Sequence, residues 1–184
     1  MTDASEATGH LDATLDLIKA VVDEYGLDED RLYATGQAAG CMLFIAMNIK
    51  CPDLFAASYL VAGQWDASLV DPMAGAHLWI VVAEGDRKAF PGMNAITDAL
   101  EQKGAKVSRA FWDGRASAEK FADTVDMMVA EGGNVMYAVL KEGTVVPRRF
   151  PDDPISNHMN TWRIAYQIEG IRDWLFRQTR VRDT

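Results

Sequence analysis

The sequence predicts an α/β fold, a mainly parallel sheet flanked by helices. Short strand-like apolar segments alternate with longer segments whose apolar residues recur at helical spacing. The run His77 to Ala83 is nearly continuously apolar, as expected of a strand covered on both faces of a parallel sheet. Breakers such as Gly26, Pro52, Gly104 and the pair Gly132-Gly133 fall between the segments rather than inside them.

In chain order, Leu11, Leu15, Ile18, Val22 and Tyr25 share one helical face, and Gly26 stops that helix. After a loop at Asp28–Asp30, Arg31 to Thr35 reads as a strand and Cys41 to Asn48 as an apolar helix that Pro52 forbids from continuing. Ala57 to Ala62 is a second strand, closed by Gly63 to Asp66. A loop with Pro72 and Gly75 leads to strand His77–Ala83, which empties into Glu84-Gly85-Asp86. Pro91-Gly92 opens a helix over Asn94–Lys103. Lys106 to Trp112 is a strand, Ser117 N-caps a helix to Glu131, and Val135 to Leu140 is the last strand. Thr144 to Asn157 is a proline-bearing loop with His158 at its end, and Trp162 to Arg177 closes the chain as one amphipathic helix.

A length of 184 residues suits one domain with a proper core, and 49% hydrophobic residues argue against disorder. The net charge of −9 argues against nucleic acid or an anionic membrane as a partner. No apolar run is long enough to span a bilayer, and Met1 to His10 lacks the basic and apolar regions of a signal peptide. Cys41 and Cys51 lie on either side of one predicted helix, which argues for two small core residues over a disulfide. With only His10, His77 and His158 there is no metal-type Cys/His cluster, and neither a metal nor another cofactor is expected.

The segment that carries chemistry is Gly36-Gln37-Ala38-Ala39-Gly40, between a strand and a helix. A strand, a very tight turn and a helix form a nucleophile elbow, which lifts its middle residue above the sheet over a helix N-terminus. The working pattern is Gly-x-Ser-x-Gly, and here the middle residue is Ala38. Cys41 is no substitute nucleophile, because it lies about one turn into the helix and its thiol points away from the tip.

Three segments together resemble the α/β-hydrolases, in particular the esterase and predicted-peptidase branch related to polyhydroxybutyrate depolymerases and dienelactone hydrolases. They are Asp30 to Met42 with its continuation into Cys51–Ala57, Trp79 to Asp86, and His158 to Trp162 running into Asp173–Phe176. Their order is that of nucleophile, acid and histidine. The resemblance implies that Ala38 stands at the nucleophile position, that Ala39 offers a backbone N–H to the oxyanion hole, that Asp86 orients the histidine, and that His158 is the general base. It also implies that Gln37, Gln64 and Trp65 line a substrate pocket for a small ester or a peptide. Asp66 and Asp113, each ending a strand, rival Asp86 as the acid.

This chain departs from the family pattern in three ways. Ala38 has nothing with which to attack a carbonyl, so an inactive derivative is expected, the alternative being a non-catalytic binding or assembly module. Residues 1–184 are expected to form a single domain lacking the family's early strands, and Lys106 to Gly133 adds a strand and a helix. Without its neighbour, Arg31–Thr35 becomes an open sheet edge, expected to be covered by a second copy, another chain, or the helix Leu11–Tyr25.

Overall fold

A computed structural model describes residues 4–180, with side chains from residue 10 onward. Residues 1–3 and 181–184, the two ends of the expected domain, lie outside the described residues. Five parallel strands form one sheet in the order β1-β2-β3-β5-β4, with β1 Tyr33–Gln37, β2 Ala57–Val61, β3 Leu78–Ala83, β4 Val107–Trp112 and β5 Val135–Leu140. Among the described residues six α-helices flank it: α1 Ala4–Tyr25, α2 Ala39–Lys50, α3 Ala89–Gln102, α4 Ala118–Ala130, α5 Pro154–Ala165 and α6 Glu169–Arg177.

The core lies where the sequence is most uniformly apolar. Every residue of β2, β3 and β5 is buried. Trp79 on β3 packs against Trp112 and Trp174, with ring centroids 6.3 and 5.3 Å away. Each large side chain removed from water in this way contributes about 1.5–3 kcal/mol. The added strand β4 lies at the far edge of the sheet, beyond β5, and leaves the order of the first three strands undisturbed.

Register positions the site. Gln37 pairs with Val61, and Val61 with Val81. The turns leaving β1, β2 and β3 therefore emerge side by side at one end of the sheet, where parallel α/β folds bind ligands.

Four local boundaries differ from the sequence reading. The first strand begins two residues later than Arg31, because the Asp28 carboxylate accepts from the Asp30 N–H and winds Glu29–Arg31 into a 3₁₀ turn. Helix α3 begins at Ala89 rather than Asn94, since Pro91 falls in a first turn where no N–H is required. His158 sits inside a helix rather than at a loop end: Asp153 N-caps α5, its carboxylate accepting from Ser156 N–H at 2.7 Å, and Pro154 occupies the first position. The closing helix is two helices. The chain leaves helical geometry at Ile168 (φ −81°, ψ 97°), which turns that buried side chain into the core.

Strand β1 is the terminal strand of the sheet, as the sequence led us to expect. One face of it is held by the C-terminal segment, where the Tyr33 hydroxyl donates to Gln178 O at 2.8 Å and Thr35 bonds the Tyr166 hydroxyl at 3.0 Å. On the other face Leu11, Leu15 and Ile18 of α1 pack with Leu43 and Phe44 around Ala34 and Met47, and Lys50 pairs with Asp12. Helix α1 thus covers a face of the sheet beside the edge. Because the Ala38 N–H reaches Val61 O at 3.0 Å, the parallel alternation points the N–H groups of Tyr33, Thr35 and Gln37 away from β2.

The two glycines of the elbow are not equivalent. A Cβ on Gly36 would lie 2.5 Å from the Gly40 carbonyl carbon, so only glycine lets strand and helix approach this closely. A Cβ on Gly40 would meet nothing within 4 Å. Gly36→Ala is expected to destabilise by about 1–3 kcal/mol through overpacking, whereas Gly40→Ala is neutral or stabilises by up to about 1 kcal/mol through helix propensity. Urea denaturation of the two variants checks this, and equal losses would contradict the geometry.

Candidate functional site

Ala38 is the residue that the elbow distorts. Its backbone has φ 48° and ψ −118°, a region that costs a non-glycine residue on the order of 1–3 kcal/mol. The turn holds this conformation by hydrogen bonds at both ends: Ala38 N–H donates to Val61 O and Met42 N–H donates to Ala38 O, each at 3.0 Å. Helix α2 starts at Ala39, and no side chain caps it. The N–H groups of its first turn, that of Ala39 included, are therefore available to an anionic oxygen.

Asp86 lies in the turn after β3 and is only 3% exposed. A buried carboxylate needs its charge satisfied, and both oxygens are used. Oδ1 accepts from the N–H groups of Lys88 and Ala89, each at 3.0 Å, which fixes the start of α3. Oδ2 lies 2.5 Å from His158 Nδ1. A carboxylate can only accept here, so Nδ1 carries a proton, and in the neutral imidazole the lone pair is then on Nε2. The ring also packs edge-to-face on Trp162, with centroids 5.3 Å apart.

The two rival acids are occupied elsewhere. Asp66 caps a short 3₁₀ turn by accepting from both the hydroxyl and the N–H of Ser68, which hold its carboxyl below the usual range. Asp113 caps the next turn through Arg115 N–H at 2.8 Å. His10 is exposed, and burial pushes the His77 imidazole downward beside Trp174.

One cavity of about 460 Å³ gathers these parts. Ala38, Ala39, Gln64, Asp86 and His158 all line it. Gln37 and Trp65, expected at the pocket, are not among its lining residues. Gln37 is an exposed strand residue, and Trp65 packs half-buried against the core. The sequence reading missed Met42, Ala62, Gly63, Arg87, Lys88, Ala89, Pro154 and Ile155 on the same walls. Met42 lies four residues after Ala38, one helical turn on, a spacing that could have flagged it. Pro154 and Ile155 carried no such signal, because the segment read as loop.

A strained elbow over a helix N-terminus and a carboxylate-bonded histidine thus line one mostly apolar cavity. The model of the family described as Esterase PHB depolymerase matches residues 1–113, and the chain belongs to that family. That match includes the elbow and Asp86 and stops short of His158, whose placement rests on the geometry above. Among solved structures, the chain is similar to one described as a thermostable esterase, at 23% identity and a TM-score of 0.68. The similarity covers 92% of this chain and 36% of that one, so the chain spans about a third of the length of the esterase it matches. No curated protein matches.

Cys41, the other nucleophilic side chain close by, is fully buried and packs beneath Gly63. Burial pushes its thiol up to about 12. At pH 8 that leaves on the order of one thiol in 10⁴ ionised, and only the thiolate is reactive. Iodoacetamide at pH 8 is expected to alkylate half-buried Cys51 and spare Cys41 until the chain is unfolded, as read by peptide mass spectrometry.

Proposed function

We propose that this domain is a carboxylic-ester site of the serine-hydrolase type whose nucleophile position is a methyl group. It holds an ester or the corresponding acid without turning it over. The observation that supports this most directly is the 2.5 Å contact between Asp86 and His158 in the cavity that Ala38 also lines. In an acting site of this kind, His158 Nε2 takes the proton of a serine hydroxyl as that oxygen attacks the ester carbonyl. The negative oxygen that develops is met by the Ala39 N–H and the α2 N-terminus, and His158 then returns the proton to the leaving alcohol. Asp86 keeps the proton on Nδ1 and stabilises the imidazolium. Ala38 supplies no oxygen for the first step, so the acyl-enzyme route is closed in the native chain.

The cavity also carries a charge preference. Its walls are mostly apolar, yet Arg87 and Lys88 sit on them, and neither has an ion pair among the described residues. In a chain of net charge −9 this is a local positive rim. It favours an ester whose far end bears a carboxylate.

Restoring the oxygen tests the acid–base pair. Ala38→Ser is expected to raise kcat/KM for short aryl esters by at least about 10³-fold over the native chain, since removing such a nucleophile elsewhere costs on the order of 10⁶. A folded variant with no gain would count against a competent Asp86–His158 pair.

The native chain tests the ligand class without turnover. Titration calorimetry is expected to give saturable binding of a carboxylate-bearing aryl ester. Arg87→Glu with Lys88→Glu should weaken that binding by about three- to tenfold, the scale of two exposed charge pairs, and leave the matched neutral ester unchanged. Equal affinity for both esters in both proteins would remove the charge preference.

A further inference from the structure

Asp86 in its turn and His158 in α5 are 72 residues apart in the chain, yet their separation is held to hydrogen-bond length. Backbone hydrogen bonds of the sheet place the turn that carries Asp86. Helix α5, which carries His158, packs across β2 and β3, so sheet contacts set its general position. One side chain touches both the acid turn and the start of this helix. Asn157, the residue before His158, is only 2% exposed. Its amide lies against Gly85, the residue before Asp86, so closely that a Cβ on Gly85 would fall 2.5 Å from Asn157 Cγ. Its Nδ2 donates to Asp152 Oδ1 at 2.7 Å and to Asp153 O at 2.9 Å, tying the amide to the N-cap of its own helix. Its Oδ1 is buried and has no hydrogen-bond partner.

That orphaned oxygen carries a desolvation cost which an apolar side chain of the same size would avoid. Packing alone therefore favours leucine at this position. The amide does what leucine cannot: its N–H groups lock the side chain to the helix start while its flat face rests on a bare glycine of the acid turn. We infer that Asn157 is a positioning residue, a spacer wedged between Gly85 and the α5 N-cap that sets the distance between Asp86 and His158. This inference rests on reading Asp86 and His158 as the site's acid–base pair.

The pair can be observed without catalysis. A ring proton held between His158 Nδ1 and Asp86 gives a far-downfield proton resonance in the native chain, and Asp86→Asn should abolish it. Asn157→Ala is expected to shift that resonance upfield and broaden it into solvent exchange, while amide signals of β3 and β5 stay in place. Gly85→Ala should do the same with Asn157 intact, because the new methyl needs the space of the amide. The combined Gly85→Ala, Asn157→Ala chain is expected to recover part of the native signal, since the methyl then fills the vacated space; such coupling between neighbours is the mark of direct contact. In the Ala38→Ser background, Asn157→Ala should lower kcat by about 10²-fold, the scale of a misplacement of about 1 Å, with KM unchanged.

A native resonance that persists in folded Asn157→Ala or folded Gly85→Ala overturns the spacer role. So does a double variant whose signal loss is the sum of the two single losses. If Asn157→Ala does not fold, Gly85→Ala alone decides. A native chain with no such resonance, unaltered by Asp86→Asn, overturns the acid–base pair itself and the spacer with it.

Discussion

The site depends on one buried carboxylate. Asp86 has left water almost completely, and an unsatisfied charge there would cost several kcal/mol. Its two oxygens resolve this in different directions. One is spent on the backbone at the start of α3, the other on the imidazole of α5. A single charge thus anchors a helix, orients a histidine and sets its tautomer. Because the acid turn leaves β3 in the middle of the sheet, everything bonded to it inherits the rigidity of the most buried strand in the molecule.

The turn at Ala38 is the second constraint, and the backbone alone holds it. Ala38 keeps a positive φ that a relaxed alanine would avoid. Gly36 permits the approach of strand to helix, and the hydrogen bonds to Val61 and from Met42 close the turn on either side. None of these interactions involves the side chain of residue 38. The strained backbone is therefore indifferent to whether that residue carries a hydroxyl. The apolar cavity, the free N–H groups at the head of α2 and the oriented histidine remain features of the same surface.

The neighbourhood of the site also shows where local reading misleads. Glycines at 36 and 40 looked alike as a motif, yet only the first is sterically required. The resemblance places Gln37 and Trp65 at the pocket. In the fold one is exposed to solvent and the other packs against the core. The stretch before His158 read as loop because prolines and aspartates dominate it. Asp153 and Pro154 are in fact the start of a helix, and the resulting rigidity is what presents the histidine.

Much was legible along the chain because it depends on neighbours a few residues apart. Alternating apolar periods, the fully apolar strand at Leu78–Ala83, the breakers between elements and the Gly-x-Ala-x-Gly turn are local patterns, and local sterics enforce them. The order of elbow, acid turn and histidine could be read in the same way. Other features depend on atoms brought together from distant segments: the strand order that puts β4 outside β5, the contact of His158 with Asp86 and not with Asp66 or Asp113, the contact of Asn157 with Gly85, and the two cationic residues on an apolar cavity. No periodicity or spacing encodes these directly. They were fixed only when burial left Asp86 a single imidazole to bond and left Asn157 a single bare backbone to rest against.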